Sequence, residues 1–472
     1  MPHSRSATYG RTLTSATLQR SSAATTRGEA PSSIILAAQT LTIGTKQLGG
    51  TRGTGEINNS LSAEHRRRLT DPAAQPGAQM TSVTMLCKAY PPVTGGVETF
   101  SEQIARAYLR QGLRVTVITQ TYGCSGWQSR IYPEGRVSLF NTGPGGQLVT
   151  GLMMLRVAYR LSRARSESFY HATTWRPAIS LIAISRRVPI IVSVHGREIL
   201  TVPRLLRPLM YLVFRRSSLV AAVSSATLSR ARSAHGHAIN FGRWIVAANG
   251  LSYPAAEIRS IPAARSEQPV RLLTLARLVE RKNVQGCIRA LQTLAESKQR
   301  RFEYRIAGDG PLAQSLRTQA ANAQFTNRVR FLGYVEPEQV PTLYRWADVF
   351  LHPQIDVDDG NDFEGFGLAI ADAMSFGCLA IAGKGSGPDD FIEDGVTGVL
   401  VDGSDQTQLQ KSLESVLQNF DSYAPIAASG QLYVQAELSW DKHVGKILTA
   451  LDAAWRQPSQ DSGAPPKDLG TD

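Results

Sequence analysis

The sequence predicts an α/β protein built from two doubly wound domains facing each other across a cleft, and three observations carry that prediction. Strand-like and helix-like stretches alternate from Val83 to Val401. The alternation breaks once, around Pro254–Gln268, and then restarts. The composition, 42% hydrophobic and 19% charged, lets most of the chain bury a core. Strands alternating with helices indicate parallel βαβ sheets. At roughly 100–200 residues per domain, 472 residues leave room for two or three domains.

Taken in order, Val83–Leu86 is a short β-prone run. Val97–Gln111 follows, with Val97, Ile104, Ala105 and Leu109 at near-helical spacing. Val115–Thr119 is the next strand, then Ile190–Val194, Leu219–Val223 and Trp244–Ala247. The second run supplies Val270–Leu275, Tyr304–Ala307, Val329–Phe331, Val349–Leu351, Leu379–Ala382 and Gly398–Val401. These elements place a first domain at 81–258 and a second at 259–435. The ends read differently. Residues 1–80 are rich in Ser, Thr, Ala, Gly and Arg, and their one apolar cluster, Ile34–Ala38, is too short for a secretory signal. Despite a faint likeness to a transit peptide, the expectation is a disordered extension, or a stretch ahead of a true start at Met80 or Met85. Residues 458–472, with Pro458, Pro465 and Pro466, read as a disordered tail.

The net charge of +13 is uneven: +5 on residues 1–80, +16 on 81–269 and −8 on 270–472. A basic chain suggests a nucleic acid or an anionic membrane surface. No basic–aromatic platform or groove-reading motif occurs, so nucleic acid is not an expected partner. Four scattered cysteines without a C-x-x-C pair exclude a disulfide scaffold and a cysteine–zinc site, and they fit a reducing compartment. No apolar run approaches the ~18 residues of a spanning helix.

Ligands of doubly wound sheets bind beyond the carboxyl ends of the strands, so the loops there are where chemistry is expected. In Tyr90–Phe100 a strand ends, Gly95-Gly96 lets backbone approach a ligand, and a helix starts, which outlines an anion site; a plain turn is the alternative. In Leu275–Asn283, Arg277 and Lys282 follow a strand and precede a helix, where two cations can clamp a diphosphate; a solvated basic loop is the alternative. In Asp362–Met374, Glu364 lies in a glycine-flanked turn and Asp372 about two helical turns further on. Carboxylates so spaced suit the hydroxyls of a sugar and a ribose, against the alternative of a helix-capping acid and a solvent-facing Asp. Asp356-Val-Asp358 lacks the ligands of a calcium loop, Gly383-Lys-Gly-Ser386 lacks P-loop spacing, and the histidines show no H-E-x-x-H, so no metal is expected.

Together these stretches carry a resemblance. The Pro-Pro-x-x-Gly-Gly-Val-Glu loop, Arg-Leu-Val-x-x-Lys, Ile306–Pro311, Glu-Gly-Phe-Gly-x4-acid and Asp394–Val401 occur in the order found in the GT-B glycosyltransferases of family 4. The likeness runs from about Val83 to Trp455, and the acidic approach Asp356–Glu364 resembles the bacterial lipid-glycan mannosyltransferases within it. It implies two Rossmann-like domains and a terminal helix, 436–457 after Trp440, crossing back to the first. It implies transfer of a hexosyl group from a nucleotide diphosphate sugar, with retention, to a glycan or lipid-linked acceptor. The nucleotide sugar is a co-substrate, and no cofactor is implied.

Position by position, the resemblance implies that the Gly95–Gly96 backbone contacts the donor diphosphate and that His195 lies near the transferred sugar. It implies that Arg277 and Lys282 bind the diphosphate, and that Glu364 holds sugar hydroxyls beside Gly365, Phe366 and Gly367. Glu364, His195, Arg277 and Lys282 are thus the expected catalytic set. Asp372 stands where the ribose-binding residue, usually Glu, belongs. Asn283 and Ala276 stand where Gly is usual. Retaining glycosidases need two carboxylates about 5–5.5 Å apart, and nothing in this chain identifies such a nucleophile. The expected route is front-side attack, with the leaving phosphate helping to take the acceptor proton.

Arg186, Arg187, Arg197, Arg204, Arg207, Arg215 and Arg216 are interleaved with Leu205, Leu206, Leu209, Met210, Leu212 and Phe214. Two readings stand side by side: an acceptor-side face lying on an anionic membrane, which would place a cytoplasmic protein at the inner face of the plasma membrane, or a core helix with solvated arginines. Asp372 leaves open a nucleotide-sugar-binding protein with little transfer activity, and a GT-B epimerase is a weaker rival.

Overall fold

The computed structural model describes residues 80–456, apart from 94, 122, 165–167, 185–187, 255, 259–267, 297–300 and 323–325. The segments expected to be disordered, and Arg186 and Arg187, lie outside the described residues, Met80 excepted.

Two sheets form. The first contains β1 (Ser82–Cys87), β2 (Arg114–Thr119), β3 (Gly126–Tyr132), β4 (Gly135–Asn141), β5 (Ser168–Ala172), β6 (Ile190–Val194), β7 (Leu219–Ala222) and β8 (Trp244–Val246), in the spatial order β3-β4-β2-β1-β5-β6-β7-β8. All its neighbours pair in parallel except the β3–β4 hairpin. The second contains β9 (Val270–Leu275), β10 (Phe302–Ala307), β11 (Val329–Gly333), β12 (Val349–His352), β13 (Leu379–Gly383) and β14 (Val399–Val401), all parallel, in the order β11-β10-β9-β12-β13-β14. The strand order reverses beside β1 in the first sheet and beside β9 in the second. At a reversal the flanking crossovers leave on opposite faces and open a crevice at the carboxyl end.

Helices cover both faces, so the central strands are buried throughout, as in β1, where all six residues are buried. The helix Gly96–Arg110, which connects β1 to β2, turns Phe100, Ile104, Ala107 and Tyr108 inward and closes its last turn with Arg110. Each strand expected from the sequence is present. The hairpin β3–β4 and the strand β5 were not expected. β3 is an edge strand whose Trp127, Gln128, Ser129 and Ile131 are exposed, so its residues show no buried-strand signal.

One apolar cluster is continuous through both domains. It joins Phe100, Ile104 and Tyr108 to Tyr344, Phe350 and Phe376 by way of Trp440, Val444 and Ile447. Those last three belong to the terminal helix Trp440–Arg456, which packs on Gly96–Arg110 and adds an Arg110–Asp441 ion pair at 2.8 Å. The segment joining the domains is stitched to the helices after it. Trp440 Nε1 donates to the Leu251 carbonyl (2.8 Å), His443 Nδ1 meets the Ala248 carbonyl (2.9 Å), and Gln435 Nε2 donates to the Ala256 carbonyl (2.8 Å). At this junction Asn249 is buried, and a side chain on Gly250 would overlap Trp440.

Candidate active site

The crevice beside β9 is bounded by two loops. One leaves β9 with Ala276 and Arg277 and closes in a 3-10 turn at Glu280–Lys282. The turn ends at Asn283 with φ 51°, a left-handed conformation that Asn accepts more readily than most residues. Asn283 Nδ2 then donates to the carbonyls of Pro353 (3.1 Å) and Gly403 (2.7 Å), work that the Gly usual here could not do. The other loop leaves β12 at His352 and reaches the helix Leu368–Ser375, carrying Glu364 on the way. Gln354 fixes its start by donating to the Gly383 carbonyl (2.7 Å) and accepting from Gly383 N (3.1 Å).

Lys282 and Glu364 meet between the two loops in a direct ion pair. Arg281 Nη1 reaches the same Glu364 oxygen at 2.6 Å, and Arg281 Nε lies 3.3 Å from Asp362. His352, 1% exposed, places Nε2 3.3 Å from Lys282 Nζ and 3.6 Å from Glu364 Oε2. Burial disfavours a charged Glu364, but Lys282, a hydrogen bond from His352 and Arg281 outweigh it and hold the carboxyl well below its usual range. Burial, then the Lys282 charge, pushes His352 down to about 4, so the imidazole is neutral near pH 7. A carboxylate held ionised between Lys282 and Arg281 can accept hydroxyl hydrogen bonds, and cations that turn from it can take an anion.

His195 extends from the end of β6. Its Nε2 lies 2.9 Å from the Thr173 carbonyl, its backbone N–H donates to Glu198 (2.6 Å), and its ring stands edge-on to Phe100 at 4.6 Å. The His195 carbonyl abuts Gly365, where a side chain would overlap it, so the residue after Glu364 touches the first domain directly. Gly196 has φ 118°, and a Cβ there would stand 2.6 Å from the Phe363 ring. Both glycines are therefore fixed by the approach of the two domains. Phe366 is buried against Phe391, and Gly367 begins the helix Leu368–Ser375 in a left-handed conformation.

The structure thus brings Lys282, Glu364 and Gly365 together and sets the His195 backbone carbonyl against Gly365, while the imidazole turns to the Thr173 carbonyl. Gly95 and Gly96 head the helix whose Phe100 contacts His195, and open space surrounds Gly96. Arg277 is exposed and makes no ion pair among the described residues. Asp372 points elsewhere: it is buried, and its Oδ1 accepts the backbone N–H of Ser252 in the interdomain segment at 2.7 Å. The helix begins only at Leu368, so Glu364 lies on the loop before it and Asp372 about one turn inside, not two helical turns from Glu364. The Asp372 side chain faces the junction, and burial pushes its carboxyl up to about 7. Sequence reasoning did not single out Arg281, His352 or Asp362. His352 ends a strand, the position where chemistry was expected, so that rule applied one residue further would have found it.

Two facing Rossmann-like domains with an acid–base cluster at the crevice define the GT-B class of glycosyltransferases. Residues 256–431 match the family described as Glycosyl transferases group 1, and residues 94–252 match Glycosyltransferase Family 4. The GDP-mannose-dependent alpha-(1-6)-phosphatidylinositol monomannoside mannosyltransferase of Mycobacterium tuberculosis is 30% identical over 58% of this chain and 71% of its own length. The amylovoran biosynthesis glycosyltransferase AmsK of Erwinia amylovora is 31% identical over 36% of this chain and 42% of its own. The Anabaena HepE structure, solved with UDP and glucose, superposes with a TM-score of 0.61 at 20% identity, over 79% of this chain and all of that one. The chain belongs to glycosyltransferase family 4.

Proposed function

We propose that the protein transfers a hexosyl group, mannosyl or glucosyl, from a nucleotide diphosphate sugar to a glycan or lipid-linked glycan, with retention and without a metal or other cofactor. The observation that carries this reading is the convergence of Lys282, Arg281 and Glu364 at the carboxyl ends of β9 and β12. The donor diphosphate lies between the Gly95–Gly96 helix start and the cations Arg277 and Lys282, which take the charge that grows on the leaving phosphate. As Lys282 turns to phosphate, Glu364 is released to hold the sugar hydroxyls, with His195 beside the sugar. The acceptor attacks from the side the phosphate leaves, and the phosphate helps take its proton. The relatives named above, one using GDP-mannose and one serving amylovoran synthesis, support the donor and acceptor classes.

The acceptor-side domain also favours an anionic membrane surface at the cytoplasmic face. Met210, Val213 and Phe214 of the helix Arg207–Arg216 are buried, whereas Leu205 is 94% exposed and Leu206 and Leu212 stand out beside exposed Arg204 and Arg215. Apolar side chains ringed by arginines suit a lipid surface. No helix among the described residues is long and apolar enough to cross a membrane. A screen of GDP-mannose, UDP-glucose and related donors against a membrane extract tests the proposal, with product mass and anomeric configuration measured with and without EDTA. A hexose added with retention, at a rate EDTA leaves unchanged, is expected. Inversion, EDTA-sensitive transfer or an epimerised donor as sole product would refute the corresponding part.

A further inference from the structure

The loop that delivers Glu364 makes an excursion first. Residues 356–362 fold back through a bridge between Val357 and Asp362, and Asp358, Asp359 and Gly360 turn with positive φ. This excursion is gripped from the other domain. Arg230, on the helix Ser225–His235, donates from Nη1 to the Gly360 carbonyl (2.8 Å). Its Nη2 donates to the Asp356 carboxylate (2.8 Å) and to the Gly385 carbonyl (2.8 Å). The guanidinium carbon stands 4.1 Å from the centre of the Phe363 ring, the residue before Glu364. Gly385 belongs to the turn after β13, and two residues on, Gly387 N–H donates to the Glu364 carbonyl at 2.9 Å. One side chain of the acceptor-side domain therefore holds both pieces of backbone that flank Glu364.

We infer that Arg230 is a positioning residue for Glu364, supplied across the cleft so that the sugar-holding carboxylate is set in place only when the two domains are closed. This rests on the reading of Glu364 given above. The ion pair to Asp356 is half exposed and contributes little by itself. The geometry lies in the two carbonyl bonds and the ring contact, which need a planar fork with several donors that lysine cannot supply. Other contacts across the cleft do not join both flanks of Glu364: Ser225 N meets Asp390 (2.7 Å), Arg197 meets Asp362 (3.6 Å), Thr227 Oγ1 meets the Gly365 carbonyl (3.4 Å), and His195 and Gly196 abut Gly365 and Phe363.

The test uses the full chain and the donor found active in the screen, with Arg230→Ala, Arg230→Lys, Asp356→Asn and Glu364→Gln measured side by side. Misplacing a reacting group by about an ångström can cost on the order of 100-fold. Both Arg230 variants are expected to lower kcat by about 10–100-fold, while affinity for the nucleoside diphosphate changes less than about threefold. Millimolar guanidinium should restore part of the Arg230→Ala activity and none of that of Arg230→Lys. Asp356→Asn, which keeps the carbonyl and ring contacts, should stay within about threefold of the parent. An Arg230→Ala protein with parental kcat beside a crippled Glu364→Gln overturns the inference. So does a loss that guanidinium does not rescue and that tracks a lowered Tm. A fully active Glu364→Gln would instead bring down the site reading itself.

Discussion

Asp372 provides a stability prediction whose sign and size follow from its surroundings. The residue is 3% exposed, and its carboxyl is held by Ser252, whose backbone N–H donates to Oδ1 at 2.7 Å and whose side chain also bonds to it. Burial raises it from the ordinary 3.8 to about 7, against the smaller downward pull of Ser252. Between those values the folded protein keeps a proton that the unfolded chain releases. Stability is therefore highest below pH 4 as far as this group is concerned, and it falls as pH rises towards 7. One proton changes stability by about 1.4 kcal/mol per pH unit, so the cost accumulates to about 2–3 kcal/mol between pH 5 and pH 8. Asp372→Asn keeps an oxygen for Ser252 and removes the titration. Thermal unfolding of both proteins across that range, read as the difference in Tm, cancels the titration of every other group. The Asn variant should gain on the parent steadily as pH rises and be the more stable at pH 8. A Tm difference that does not change with pH would refute the reasoning, because it would mean that Asp372 carries no proton that the unfolded chain lacks.

Three further outcomes are expected. Gly196→Ala forces a side chain into φ 118° and against Phe363, costing about 1–3 kcal/mol in backbone strain alone and prising the domains apart; transfer kinetics should fall at least about tenfold, and parental kinetics would contradict the close approach. Trp440→Ala removes the ring that joins Phe100 to the interdomain segment and its bond to Leu251, and should cost about 3–5 kcal/mol, read by thermal or urea unfolding. Replacing Leu205, Leu206 and Leu212 together by Ser should abolish flotation with anionic liposomes, and the parent's flotation should weaken between low and high salt; flotation indifferent to both changes would remove the membrane reading.

All six strands of the second sheet and five of the eight in the first were legible because buried parallel strands write themselves as short apolar runs, as in Val270–Leu275 and Leu379–Ala382; β5, a five-residue run that opens on Ser168 and includes His171, was not. The β3–β4 hairpin was not, since an edge strand facing water alternates too weakly to stand out from a loop. At the site, Lys282 and Glu364 were legible from glycines and charges placed just beyond strands. Asp372 shows the limit of spacing arguments: the helix starts only at Leu368, after a left-handed Gly367, so eight residues from Glu364 fix neither how far the side chain has turned nor which neighbour the helix offers it. Here the interdomain segment supplies the Ser252 N–H. Arg230 left no trace in the sequence, because its partners lie 126 to 155 residues away, on loops whose meeting depends on how the two domains pack.

The central claim is that the cations between β9 and β12 hold the donor phosphates while Glu364 holds its sugar. Turnover and nucleoside diphosphate affinity, measured together on Lys282→Met and Glu364→Gln, test it most directly. Glu364→Gln should lose at least about 100-fold in kcat and keep its affinity for the nucleoside diphosphate, whereas Lys282→Met should lose both. Near-parental turnover by a folded Glu364→Gln, or unchanged diphosphate affinity in Lys282→Met, would contradict the account.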